Sequence, residues 1–478
     1  MAHLYNSLAL ELASRIDAGV YQVGQRLPGV RSTSQSRGVS TATAVAAYRQ
    51  LEDEGYIESR PRSGFYVRSR ARVVLPEPRL SRRSARPIPV NGQQMMLGLV
   101  QSAQRPDLIR FGAAVPDHSY LPTRAIEKAL STAMRLNRVQ VSAYEFSPGL
   151  LTLRQQIARR MGETGCITDP DEVLITNGCQ EALYLALKSL TEPGDVVAVE
   201  SPTYYGLLQV IDALGLKALE IPTHPGEGLG IEALQLALEQ WPVKVCVVTP
   251  NFNNPLGCLM PHNRRVALLE LARTHGLSIV EDDIYGDLGF DLRRPDTLLG
   301  LAQNMGMADQ VIYCSSFSKT LAPGLRIGWM VSTAHRDTLA FQKFVMNSAS
   351  PSITQLAVAT MLESGRYERH LRGLRQSMAQ AVHRMADRLC QHFPMKTCIT
   401  RPQGGFVIWV ELPNGVDANE LAQKALEKGI SIAPGPLFSA TQKYRNHIRL
   451  SCAVLWNERV EKALKILGQL VTDAAVEK

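Results

Sequence analysis

The stretch VIYCSSFSKTLAPGLRIGW, Val311 to Trp329, runs from a β-branched and aromatic segment into a serine-rich turn that carries Lys319, with Arg326 seven positions on. An apolar run ending at such a turn reads as a buried strand followed by a loop. Loops beyond strand ends are where α/β sheets carry their chemistry. A lysine held there and partly desolvated is suited to hold a carbonyl cofactor as a Schiff base. The bland reading is a solvated loop cation, and the ends of the other strands decide between the two.

Those ends form a set. In EVLITNGCQEALYLALKSL (172–190) a strand turns tightly into a helix, so that Gly178, Cys179 and Gln180 offer unpaired backbone N–H groups at a helix start, a place suited to a phosphate. DVVAVESPTYYG (195–206) ends in Tyr204, which can lie flat on an aromatic ring. VKVCVVTPNFNNPLG (243–257) presents Asn254 before a proline. LSIVEDDIYGDLGF (277–290) delivers Asp282 and Tyr285, and the opening stretch adds Ser316, Ser318, Lys319 and Arg326. A pyridine aldehyde bearing a phosphate needs an amine, a carboxylate for its ring nitrogen, hydrogen bonds for its phenolate, an aromatic face and a phosphate cradle. All five tasks are covered at strand ends.

Apolar β-rich runs alternate with amphipathic helical segments after Pro106, as in an α/β, mostly parallel doubly wound sheet. From 106 to 478 the chain resembles the fold-type I pyridoxal-phosphate enzymes of the aspartate aminotransferase class, with a smaller C-terminal α/β subdomain. The resemblance implies pyridoxal 5'-phosphate as cofactor, Lys319 as its Schiff-base lysine and Asp282 on the pyridinium nitrogen. It implies Asn254 and Tyr285 on the phenolate oxygen, Tyr204 stacked on the ring, and Gly178, Cys179, Gln180, Ser316, Ser318 and Arg326 around the phosphate. Tyr144 of SAYEFSPGLLTLR would reach in from a partner subunit, which implies a homodimer. Arg449 of HIRLSCA would take a substrate carboxylate. Cys179 stands where a small or hydroxyl-bearing residue is common.

Charge is distributed unevenly. Residues 1–90 hold 14 Arg and no Lys against 7 Asp and Glu, a balance of +7 within a total of +8. A compact arginine-rich module on a nearly neutral body is the footprint of a phosphate-backbone binder. Leu8, Leu12 and Ile16 fall on one helical face, and GVSTATAVAAYRQLEDEGYI (38–57) reads as a helix capped by Ser40 that closes at Gly55. RLPGVRSTSQSRG (26–38), between them, reads as a short, weak helix. YIESRPRSGFYV (56–67) then reads as two short strands around Arg60, Arg62 and Gly64. Three helices and a basic hairpin make a winged helix-turn-helix.

Residues 1–68 resemble the GntR-type DNA-binding domain. The resemblance implies that Arg26 and Arg31 meet phosphates, that Ser40, Thr41 and Thr43 open the recognition helix, and that Gly64 permits the wing turn; Arg60 and Arg62 would lie on the wing. Gly29 and Thr41 depart from the serine and arginine common there, and Thr33 and Arg37 stand where leucine is common. Residues 69–105, rich in arginine and proline without a period, read as a linker whose 37 residues would span roughly 30 to 40 Å as a coil.

Such a head on such a body resembles the MocR subfamily of transcriptional regulators. The resemblance implies a regulator that binds double-stranded DNA and senses an amino acid, an amine or pyridoxal phosphate itself through aldimine chemistry. A working transaminase with a vestigial head is the alternative, and residual transamination is compatible with the first reading. Eight cysteines without a CxxC pair suggest reduced thiols and no zinc site. With no apolar run near the roughly 18 residues of a membrane span, a cytoplasmic protein is expected.

Overall fold

The computed structural model describes residues 2–17, 20–22, 24–53, 55–60, 63–68, 75–78, 80, 86–90, 98, 101, 105–291 and 293–476. The chain divides into two compact units, 1–74 and 75–478.

In the first unit, helix α1 (Ala2–Asp17) packs on α3 (Thr41–Asp53), with Leu8, Leu12, Ala44, Ala47, Tyr48 and Leu51 inside. Helix α2 (Val30–Arg37) has almost nothing apolar to bury and joins this core through hydrogen bonds. The buried Thr33 hydroxyl lies 2.9 Å from Tyr48 Oη, which donates to Pro28 O at 2.5 Å, while Ser34 Oγ donates to Val39 O. Strands β1 (Ile57–Arg60) and β2 (Gly64–Val67) pair antiparallel, Arg60 opposite Gly64. Gly64 has φ +109, and a Cβ there would meet Arg26 Nε at 3.1 Å, so the wing turn and the approach of Arg26 both call for glycine.

In the second unit, among the described residues, a nine-stranded sheet has its main path in the order β3 (Ile88–Pro89), β6 (Lys217–His224), β5 (Val196–Ser201), β7 (Val243–Val248), β8 (Ser278–Asp282), β9 (Val311–Ser316), β10 (Gly328–Val331) and β4 (Val173–Thr176). Strands β6, β5, β7, β8 and β9 run parallel, while β10 is antiparallel to both its neighbours. Central strands with both faces covered read as near-continuous apolar runs. Val197, Val199, Val245 and Val247 pack under α4 (Cys179–Leu190) and α5 (Tyr205–Ala213), while Ala198, Cys246 and Ile279 meet the helices of the opposite face.

The long helix α6 (Arg366–His392) spans two cores: Tyr367, Leu371 and Met378 belong to the sheet's, Val382, Met385 and Leu389 to that of the C-terminal subdomain. There β11 (Cys398–Ile399), β12 (Val407–Glu411), β13 (Ala433–Pro434) and β14 (His447–Ser451) form an antiparallel sheet in the order β11, β12, β14, β13.

Within the stretch read as a linker, two short pieces are held by the body. Leu75 lies 2% exposed in the C-terminal core and Pro76 O accepts from Ile399 N at 2.8 Å. Farther on, β3 pairs antiparallel with β6 and Val90 enters the apolar core on the α4 and α5 face of the sheet. No described helix is long and apolar enough to cross a membrane.

Candidate functional site

The parallel strands deliver their groups to one edge. Past β9, Ser316 caps a short 3-10 turn by accepting from Ser318 N at 3.1 Å, and its hydroxyl lies 2.8 Å from Ser318 Oγ. That turn carries Lys319, whose half-buried Nζ donates to Ala114 O at 2.8 Å. Burial, and then the nearby Arg449 cation, pull this amine down to about 8. The next residue is fixed from α6: Tyr367 Oη lies 3.0 Å from Thr320 Oγ1 and His370 Nε2 is 2.8 Å from Thr320 O. Tyr367 also donates to Asp287, which Arg294 holds at 2.6 Å.

Asp282 closes β8. Its Oδ1 accepts from Cys179 Sγ and from Ile284 N, each at 3.2 Å, and burial raises the carboxyl to about 6. Tyr285 is buried beside it, 5.7 Å from the Phe406 ring, with Asn254 near enough to its hydroxyl to favour the ionised form. Asn254 Oδ1 is buried with no hydrogen-bond partner among the described residues. The loop bearing Asn254 is anchored by the buried Glu200, which accepts from Thr249 N and Asn253 Nδ2, each at 3.0 Å. Tyr204 caps α5, and its ring folds so closely over Gly206 that a Cβ there would come within 2.4 Å.

At the start of α4 the backbone N–H groups have no side-chain cap, and Gly178 adopts φ +96. A Cβ at Gly178 would lie 2.6 Å from Arg326 Nη2, so glycine lets the guanidinium close over the turn, where it also bonds to Asn177 O. The Gln180 side chain is used otherwise, donating to Gly206 O at 2.7 Å. Tyr144 is 76% exposed and stacks on Phe146.

Arg449 is 0% exposed, an unusual setting for a guanidinium. Its Nη2 donates to Gly112 O at 2.7 Å, but Nε and Nη1 have no partner among the described residues. A buried cation whose Nε and Nη1 donors are unused is costly, and these N–H groups suit an anion such as a carboxylate. The residues therefore fit a phosphorylated pyridine aldehyde and an acid: an amine at Lys319, a counter-ion at Asp282, donors at Asn254 and Tyr285, a cradle at Gly178 and Arg326, and an anion seat at Arg449. Sequence reading missed the main-chain groups Gly112 O and Ala114 O, and the anchors Glu200, Thr320 and His370. Backbone acceptors leave no trace in side-chain pattern, though the buried glutamate at the end of VVAVES was a visible signal.

On the head, Arg26, Arg31, Ser40 and Thr41 are exposed and Thr43 is partly so. Ser40 caps α3, accepting from Thr43 N at 3.1 Å with the two hydroxyls 2.8 Å apart. Arg60 donates to Glu58 at 2.8 Å and lies 4.3 Å over the Tyr66 ring. Arg62 lies outside the described residues.

Residues 106–467 match the class I and II aminotransferase family, and residues 4–67 the bacterial regulatory proteins of the gntR family. An HTH-type transcriptional regulator of Escherichia coli, YjiR, is 40% identical over 98% of this chain and 98% of its own. The 2-aminoadipate transaminase of Thermus thermophilus is 33% identical over 78% of this chain and 92% of its own. The crystal structure of LysN, the α-aminoadipate aminotransferase of Thermus thermophilus in complex with N-(5'-phosphopyridoxyl)-L-leucine, superposes with a TM-score of 0.73 at 30% identity, over 81% of this chain and 100% of that one. The body is thus of the pyridoxal-phosphate-dependent kind. With a gntR-family head on a class I and II aminotransferase body, this chain belongs to the MocR-type transcriptional regulators.

Proposed function

We propose that the body senses an α-amino acid and that its occupancy controls DNA binding by the head. The observation that carries this reading is Arg449, wholly buried with Nε and Nη1 unpartnered. An amino acid supplies both the carboxylate that fills this seat and the amine that can replace Lys319 on the cofactor. The transaminase relative, named for an amino acid with a second carboxylate, supports the same class. When bound, pyridoxal phosphate supplies an aldehyde that exchanges between amines and a ring that draws electrons from the attached carbon. Lys319, largely neutral above about pH 8, holds the aldehyde, and Asp282 holds the ring nitrogen. Asn254 and Tyr285 hold the phenolate oxygen, Tyr204 covers the ring face, and Gly178, Cys179, Gln180, Ser316, Ser318 and Arg326 surround the phosphate through main-chain N–H groups, hydroxyls and a guanidinium. Regulation follows if the ligand has different affinities for two arrangements of the protein.

A homodimer completes the site. Tyr144, Phe146, Phe341, Phe344 and Val345 are exposed, and Phe146 lies 6.2 Å from Phe344. An apolar patch of this kind suits a second copy of the chain, which would bring each Tyr144 to its partner's cofactor. Arg26, Arg31, Arg60 and Arg62 would meet DNA phosphates, with Ser40, Thr41 and Thr43 at the groove and Gly64 shaping the wing.

The test is a screen of amino acids and of amines lacking a carboxylate against the cofactor-loaded protein, read by its visible spectrum. Amino acids should shift the spectrum at far lower concentration than the matching amines, and Arg449→Ala should erase that preference. Equal responses to both classes would overturn the reading. Rapid turnover with added keto acid, without any effect on DNA binding, would make the protein an aminotransferase.

A further inference from the structure

Cys179 makes two kinds of contact at the candidate cofactor site. As the first residue of α4, its main-chain N–H belongs to the uncapped, positive end of that helix. Its thiol turns the other way, 3.2 Å from Asp282 Oδ1, and the Ile284 N–H approaches the same oxygen at 3.2 Å. Cys179 and Asp282 are 4% and 6% exposed. A helix start ordinarily makes a cysteine more acidic. Here burial, and next the Asp282 charge, hold the thiol well above its ordinary range, so it remains S–H and donates. Asn254 Oδ1 and Arg449 Nε and Nη1, both near Tyr285, are among the unpartnered buried polar groups at the same site.

We propose that Cys179 is a positioning residue for the cofactor ring: with the Ile284 N–H it holds Oδ1 of Asp282, keeps the carboxylate ionised and leaves Oδ2 for the pyridine nitrogen. This rests on the reading of Asp282 as the counter-ion of that nitrogen. A carboxylate that accepts hydrogen bonds is stabilised in its charged form, and Asp282 needs that help because burial alone pushes it up. The other groups around this carboxylate are Asp283 and Tyr285 from its own strand end, Lys319 from the turn after β9, Cys314 from β9, Tyr204 from the start of α5 and Glu200 from β5. Asp283 opposes ionisation and Lys319 favours it. Asp283 is itself paired with Arg294 at 2.7 Å.

The test uses the full-length protein stripped of cofactor, with pyridoxal-phosphate affinity measured by equilibrium dialysis from pH 5.5 to 8.5 for the wild type, Cys179→Ala and Cys179→Ser. Protonation of Asp282 removes the counter-ion, so affinity falls on the acid side. Lys319 and the cofactor's phosphate titrate alike in all three proteins, and the difference between them reads Asp282. Loss of one donor should move the acid-side midpoint of Cys179→Ala upward by about half a pH unit, about a twofold weakening at the wild-type midpoint that approaches threefold well below it. Cys179→Ser, which keeps a donor, should return the midpoint to that of the wild type. In an Asp282→Asn background the Cys179→Ala change should move nothing. An alanine variant weakened by one factor at every pH, or one with the wild-type midpoint, would overturn the proposal. A wild-type protein that bound no cofactor would overturn the site reading itself, before any variant is compared.

Discussion

Lys319 and Asp282 stand at the ends of adjacent parallel strands, and burial moves their proton affinities toward each other, the amine down to about 8 and the carboxyl up to about 6. A lysine amine attacks an aldehyde only when neutral. As pH rises through about 8, the neutral fraction of Lys319 grows and then saturates. The rate at which stripped protein captures pyridoxal phosphate covalently should therefore climb to about pH 8 and flatten; a climb continuing past pH 10 would return Lys319 to the ordinary lysine range. Lys319→Ala should lose the visible band of lysine-bound cofactor yet still bind it noncovalently, because Arg326, the Gly178 turn, Asp282 and Tyr204 remain. At Gly178, φ +96 and the 2.6 Å approach of a Cβ to Arg326 predict that Gly178→Ala weakens cofactor binding at least tenfold, measured by dialysis. Most of these residues were legible because each follows an apolar run at a strand end. The tie of Cys179 to Asp282 was not, since the two are far apart in sequence and meet only once β8 and α4 pack.

At the scale of elements, α2 shows how a helix poor in apolar residues holds its place. Its Thr33 pairs with Tyr48, which donates to Pro28 O. Tyr48→Phe strands a buried hydroxyl and a carbonyl, and should destabilise the head by about 1 to 3 kcal/mol in chemical denaturation; an unchanged midpoint would mean that water replaces the bonds. The sequence showed α1 and α3 through their spacing, but α2 only as a weak helix, because its contribution lies in polar atoms that periodicity does not count. The pieces at Leu75 and Val90 were hidden for a related reason. One or two buried residues in an arginine- and proline-rich stretch make no pattern, yet Leu75→Ala removes a side chain 2% exposed and should cost the body about 2 to 5 kcal/mol, read by its unfolding midpoint.

For the whole molecule, the account joins a basic head to a body whose site is completed by an amino acid. Residues 1–90 carry nearly all the net charge, so duplex DNA binding should weaken steeply with salt, and Arg31→Ala should lower affinity for all sequences alike. The central claim is the coupling of effector to DNA. Its most direct measurement is the fluorescence anisotropy of a duplex selected from a random library by the cofactor-loaded protein, titrated with and without each amino acid of a panel, for the wild type and for Lys319→Ala. At least one amino acid should change the wild-type Kd about 5- to 150-fold and leave the Kd of Lys319→Ala unmoved. A Kd that no amino acid alters in the wild type, or a full response retained by Lys319→Ala, would contradict it.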